Sequence, residues 1–321
     1  MKARILINLL ALTLFAGACK ERDKNGKEVD TVSSGSITIA VDESLRPIME
    51  AEVDAFNKIY PYAHVSVLYV SEGEAIEAML KDSARLAVVT RKLTQDETAV
   101  LESQKLIPRH ITVATDAVAL ILNKTNPDTL IRMEQFGKIA SGEITNWNQI
   151  NPKAKSASID VVFDHPSSGI TRFIKDSVAH VEKLPPTFYA VQSNKAVVDY
   201  VSQKPNALGL IGVGWISDND DSTANQFLNS IHVASLSHDS SYYKPYQAYI
   251  ALKQYPLLRN VIIISREART GLGSGFATFV ANDKGQRIIL KAGLLPATMP
   301  LRIVEVSNNY YIYQDYLSGD R

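Results

Sequence analysis

Ser167, Ser168, Gly169, Thr171 and Arg172 place three hydroxyls, a residue without a side chain and a guanidinium in one short stretch. That is oxyanion chemistry, since hydroxyls and bare backbone N–H groups donate hydrogen bonds and a guanidinium adds a planar, charged fork. The surrounding run, Val161 to Ser177 (VVFDHPSSGITRFIKDS), says how they would be held. Val161, Val162 and Phe163 form a β-branched and aromatic strand. Pro166 cannot donate to a ladder, so a loop follows. Phe173, Ile174 and Val178 then recur at helical spacing. The first N–H groups of a helix lack internal partners and carry partial positive charge, so a small anion meets several donors there. Ser167 or Ser168 could equally be an ordinary N-cap, the commoner use of such residues. The rest of the chain has to decide.

The elements that must position this loop come in a regular series. Ser36 to Val41 alternates as a strand, Asp42-Glu43-Ser44 turns, and Pro47 to Tyr60 has a helical apolar period. His64 to Val70 is a second strand, with Ser71, Glu72 and Gly73 opening a helix. Leu86 to Thr90 is a third, followed by Arg91, Lys92 and a helix that Thr94 or Asp96 caps. Successive β-loop-α units imply a parallel sheet, whose ligands gather beyond the carboxyl ends of the strands. Ser44, Ser71, Thr90 and Arg91 all fall at such ends. Thr112 to Asn123 is long enough to leave one lobe and enter another. Met133 to Ser141 is a helix stopped by Gly142, with Trp147 nearby as a packing anchor. Asn194 to Ser202 reads as a helix, Ala207 to Val213 as a strand, and Asp218 to Ala224 as an acidic surface loop. Tyr246 to Leu252 alternates like a strand, Val261 to Ser265 is a buried strand, and Phe276 to Leu290 is a helix broken near Gly285. The tyrosine-rich coda from Ile303 has no assignment.

The ends and the composition bound the class. Lys2 and Arg4 precede the apolar run Ile5 to Phe15 and the small residues Ala16 to Ala18, so residues 1–18 read as a secretory signal. Cys19, the only cysteine, stands where bacterial lipoproteins are acylated, and the charged, then Ser/Gly-rich residues 19–36 read as a flexible leash. Without Lys2 and Arg4 the chain has 32 basic and 34 acidic residues, which does not recommend a nucleic-acid partner. The remaining chain of about 285 residues suits two lobes better than one core.

With these segments in place, the chain resembles the phosphate-binding proteins that feed bacterial ABC transporters, within the type II periplasmic binding superfamily. Ile139 to Trp147 (IASGEITNW) looks like the family's I-x-x-G-x-I-x-x-W segment, and Ala87 to Leu93 (AVVTRKL) is similar to its A-x-S-D-x-P-L strand end. Ser168-Gly169 resembles its S-G-T helix entrance, and Asn206 to Val213 (NALGLIGV) its G-A-I-G-Y-V segment. The likeness runs over about Ser36 to Ala297. It implies an α/β fold of two lobes, each a mixed, mainly parallel sheet with helices on both faces. Lobe one would take 37–115 and 246–321, and lobe two 116–245, with hinges near Ala114 to Val118 and Tyr246 to Ala248. It further implies capture of phosphate or a similar oxyanion, without chemistry, a permease partner, a membrane tether at Cys19 and a monomer. Carried over by position, Ser44 and Leu45, Ser71, and Thr90 with Arg91 would contact the ion from one lobe, Ser168 and Gly169 from the other. Arg91 stands where the family has a carboxylate, and Asp164 near where it has an arginine. Arg91 could then supply the fork, while Asp164 accepts the ligand's proton or orients Arg91 or Arg172. Thr171 would stand in for the threonine that Ile170 replaces.

Two other classes stay open. Asp164, His165 and Ser167 together suggest a hydrolase, although no G-x-S-x-G elbow occurs. The exchanged charges also fit a surface lipoprotein of this fold serving adhesion, signalling or another ligand. His64, His110, His165, His180, His232 and His238 lack metal-ligand spacing, and Gly271-Leu-Gly273-Ser-Gly275 lacks a P-loop lysine, so no metal or cofactor is expected.

Overall fold

A computed structural model describes residues 30–154, 156–218, 220–237 and 240–300. The signal sequence, Cys19 and the tyrosine-rich coda lie outside the described residues, as does most of the leash. Asp30, the first described residue, is tied to the body of the fold. The Asp30 carboxylate accepts the Leu272 N–H (2.6 Å) and pairs with Arg269 (2.7 Å).

The strands are β1 (Gly35–Asp42), β2 (Ala63–Val70), β3 (Leu86–Val89), β4 (Arg109–Asn123), β5 (Leu130–Arg132), β6 (Asp160–Phe163), β7 (Phe188–Ala190), β8 (Ala207–Gly212), β9 (Ile231–Val233), β10 (Ser235–Ser237), β11 (Leu258–Ser265) and β12 (Leu295–Pro296). One curled sheet runs β2-β1-β3-β11-β4-β8-β6-β7, with β9 and β12 also pairing to β4, while β5 and β10 pair separately. β1 is parallel to β2 and β3, and β6 is parallel to β7 and β8. The antiparallel members are those that cross. β4 pairs with β11 through Arg109 to Ala117 and with β8 from Val118 onward, so it belongs to both halves. This is the two-lobed binding-protein architecture expected from the sequence.

Alternate residues of β1 and β3 enter two hydrophobic clusters, as a sheet covered on both faces requires. Ile39, Val41, Leu86 and Val88 pack with Ile48, Met49 and Phe56 of helix α1 (Arg46–Ile59). Ala40, Ala87 and Val89 pack with Ile76 and Met79 of α2 (Glu72–Leu80) and Leu101 of α3 (Gln95–Ser103). Thr94 caps α3 in a capping box with Glu97. Helix α4 (Met133–Ser141) stops at Gly142, which takes the left-handed conformation (φ 86°) that favours glycine. Trp147 is buried and its indole N–H donates to the Asn206 carbonyl (3.0 Å).

The helix expected behind the Ser-Ser-Gly loop is present as α5 (Gly169–Phe173), continued by a π-helical turn over Ile174–Ala179. Three other expectations need correction. After α6 (Asn194–Gln203), the acidic stretch at 218–224 is not all loop. Asp221 accepts the Ala224 N–H (2.8 Å) and starts α7 (Ser222–Ser230). Tyr246 to Leu252 is not a strand, because Tyr246 opens α8 (Gln247–Ala251) and its ring stacks on Tyr249. The second crossing therefore lies later, where the Val118 N–H donates to the Leu257 carbonyl (2.9 Å). Finally, α9 (Leu272–Ala281) and α10 (Asp283–Lys291) break at Asn282 rather than Gly285. Gly285 instead lets the two helices approach, since a Cβ there would overlap the Val280 backbone.

Candidate functional site

Parallel strands align their carboxyl ends, and here two such edges face each other. β1 delivers Asp42 and a 3-10 turn carrying Glu43 and Ser44, β2 delivers Ser71 and Glu72, and β3 delivers Thr90 and Arg91. Across from them β6 delivers Asp164 and the loop to Ser168 and Gly169. The Gly169 N–H donates to Asp42 Oδ2 (2.8 Å), and Arg172 Nε to Glu72 Oε1 (2.5 Å). The Gly73 N–H donates to the Ser167 carbonyl (3.1 Å), closing the seam.

The expected site residues divide into those that face this seam and those tied to their own elements. Thr90 donates to Glu72 Oε2 from both N–H (2.8 Å) and Oγ (2.5 Å), and its hydroxyl accepts from Arg172 Nη2 (3.0 Å). The Ser44 N–H donates to Asp42 Oδ1 (3.0 Å), and its hydroxyl accepts from Arg259 Nη2 (2.8 Å). Ser168 Oγ donates to Asp164 Oδ1 (2.6 Å) while capping the Thr171 N–H (3.2 Å). By contrast, Leu45 is a core side chain at the entrance of α1. Ser71 caps α2 and donates to Glu74 (2.7 Å). Thr171 Oγ donates to the His165 carbonyl (2.7 Å).

Both roles suggested for Asp164 as an orienting group are overturned. Arg91 lays its fork on Glu97 (2.7 Å twice), six positions along its own chain segment, and Arg172 takes Glu72. Asp164 is bonded by Ser168 and by Asn194 Nδ2 (3.3 Å). The serine-hydrolase arrangement is not assembled either. His165 Nδ1 accepts the Ser167 N–H (3.1 Å), and no imidazole stands between Ser168 and Asp164.

Five residues at the heart of the seam were not anticipated. Asp42, Glu43 and Glu72 adjoin Ser44 and Ser71, and an acidic residue at a strand end reads locally as a turn former. Asn194 opens α6, donates to Glu43 Oε2 from N–H (3.0 Å) and Nδ2 (2.6 Å), and accepts the Gly212 N–H (3.0 Å). Arg259 is the single charge in the strand LRNVIIIS, a signal that could have been read. Its Nε and Nη2 meet Asp116 Oδ2 (2.9 and 2.7 Å), while Nη1 is buried without a partner among the described residues. The fixed guanidinium of the cleft thus comes from the crossing strand rather than from position 164 or 91.

The charges in this seam cannot all persist. At an effective dielectric near 20, two like charges 4 Å apart repel by about 4 kcal/mol. Burial pushes the Asp42 carboxyl up, against the pull of Arg259. Burial, then the neighbouring Asp42 charge, pushes Asp164 up to about 7. Burial also raises Glu43, against its bonds from Asn194. Glu72 goes the other way, because Arg172 and Thr90 outweigh its burial and keep it ionised. One cavity of about 220 Å³ opens beside it, lined by Glu72, Gly73 and Arg91 from one lobe and Ser167, Arg172 and Lys175 from the other. Among the described residues no acidic, histidine or cysteine cluster could hold a metal, and no helix is long and apolar enough to cross a membrane.

A family model described as a PBP superfamily domain matches residues 27–284. The phosphate-binding protein PstS of Borreliella burgdorferi is 27% identical over 304 residues, 92% of this chain and 98% of that protein. The PstS of Bacillus subtilis is 21% identical, over 92% of this chain and 94% of its own length. An ABC-type phosphate transport receptor from Vibrio cholerae superposes with a TM-score of 0.62 at 25% identity, covering 82% of this chain and 100% of that one. A candidate phosphate ABC-transporter substrate-binding protein from Clostridium perfringens, solved with phosphate, gives 0.70 at 21% identity, over 82% of this chain and 100% of its own.

Proposed function

The chain belongs to the PBP superfamily, and on that footing we propose that it is an extracytoplasmic solute-binding protein capturing phosphate, or a similar oxyanion, between its lobes for an ABC permease. The observation that carries this reading is the interlobe cavity, whose lining brings together Arg91, Arg172 and Lys175 with Glu72 as its one acidic member, although Arg91 also pairs with Glu97 and Lys175 with Asp176. Hydroxyls and guanidinium groups around a small, partly open space match a tetrahedral oxyanion, and lobe closure strengthens each bond by lowering the local dielectric. The relatives named as phosphate-binding proteins support the same choice of ion. Arg91, Arg172 and Ser167 are the proposed contacts at the rim, with Thr90, Ser168 and Gly169 deeper. Ser44 and Asp164 complete that inner surface, and a proton on Asp164 would let it donate to the ion. Export by residues 1–18, acylation of Cys19 and a monomeric chain with lobes at 37–115 plus 246–321 and at 116–245 belong to the proposal. So does the absence of turnover.

A second reading is favoured by one fact: the donors around Gly169 already hold Asp42 and Glu72. It makes the chain a lipoprotein of this fold whose role is adhesion, signalling or another ligand. Equilibrium dialysis of phosphate-stripped protein against phosphate, sulfate, molybdate and small carboxylates separates the two. Saturable uptake of one molar equivalent of phosphate supports capture. No uptake of any anion overturns it in favour of the second reading.

A further inference from the structure

We propose that Asp42, Glu43 and Glu72 of the first lobe take the place of a bound anion and hold the lobes together without one. In a solute receptor of two lobes, the ion closes the cleft by accepting hydrogen bonds from both sides. Here two carboxylates do this. Asp42 accepts the Ser44 N–H of its own lobe (3.0 Å) and the Gly169 N–H of the other (2.8 Å). Glu72 accepts Thr90 N–H and Oγ of its own lobe (2.8 and 2.5 Å) and Arg172 Nε of the other (2.5 Å). Glu43 adds a third tie, to the Asn194 N–H and Nδ2.

The arrangement is buried and tightly filled. Asp42 and Glu72 are 0% and 1% exposed, and a Cβ at Gly169 would overlap Asp42 Oδ2, Thr90 Oγ1 and Glu72 Oε2 together. No further anion fits among these donors while the carboxylates stay. A carboxylate and a phosphate offer the same kind of acceptor, so a solute can take the inner donors only by displacing its resident equivalents. Asp42 and Glu72 thereby set how strongly any oxyanion is held. That last consequence rests on the oxyanion reading, whereas the closed state does not.

Amide variants test this with little change of shape, because each turns one accepting oxygen into a donor, facing Ser44 or Gly169 at position 42 and Thr90 or Arg172 at position 72. Radius of gyration by small-angle scattering, with and without inorganic phosphate, is compared for the wild type and Asp42→Asn, Glu72→Gln combined. The wild type should be compact in phosphate-free buffer. The double variant should be expanded there, close on adding phosphate, and bind it at least tenfold more tightly than the wild type by dialysis. Gly169→Ala, which crowds the carboxylates out without changing charge, should also expand the protein and serves if the double variant fails to fold. A wild type that is expanded without phosphate and closes on it overturns the inference and leaves phosphate capture standing. A compact wild type with opened variants, none of which takes up phosphate, upholds the inference and overturns phosphate capture.

Discussion

Glu52 shows what a single carboxyl does when nothing answers it. It is fully buried on α1 with both oxygens unpartnered among the described residues, and burial alone pushes its pKa from 4.5 up to about 9. The folded state therefore keeps a proton that the unfolded chain loses above its ordinary pKa. The associated stability is fully present below pH 4.5 and lost as pH rises toward 9, by about 3 kcal/mol at pH 7. Glu52→Gln should flatten the dependence of urea-unfolding free energy on pH between 5 and 8. An unchanged slope would rule out Glu52 as its source. The residues of the seam behave differently because they are answered, but over long distances. Asp42 reads in sequence as a turn former and is one, holding the Ser44 N–H, yet its other oxygen reaches Gly169, 127 positions away. Local pattern gives the first bond and is silent on the second. Ser168 and Gly169 were legible for the opposite reason: a cap and a bare backbone are local properties.

At the scale of elements, strands and caps were readable where one short stretch determines them. β1 to β3, the Gly142 stop and the Thr94 cap follow from period and side-chain chemistry alone. Tyr246 to Leu252 was not, since its apolar residues suit two periods and its tyrosine rings stack within a helix. Nor was the shortness of α5, whose π turn no periodicity announces. The end of β8 now matters for closure. The missing Cβ of Gly212 faces the Ser44 carbonyl at 2.6 Å and Arg259 Nη2 at 3.2 Å, so this strand end touches the first lobe. Gly212→Ala should wedge the seam, lowering thermal stability by about 1 to 3 kcal/mol and enlarging the radius of gyration in scattering. If both stay at wild-type values, the lobes do not meet at Gly212 in solution.

For the whole molecule, the architecture was legible and the electrostatic balance of its cleft was not. Three β-loop-α units and one overlong strand suffice for two lobes, and β4 does cross between them. The exchange of Arg91 and Asp164 suggested a charge swap across the cleft. The molecule instead draws its buried guanidinium from Arg259 on the crossing strand, held by Asp116 on β4. The second lobe brings Arg172 to the seam, where its Nε meets Glu72. The most direct test is calorimetric titration of phosphate into phosphate-stripped wild type and Arg172→Ala. The account predicts one saturable site in the wild type, weakened in the variant by about 2 to 5 kcal/mol, the scale of losing one partner of a buried charge pair. Equal affinities in the two proteins would contradict it.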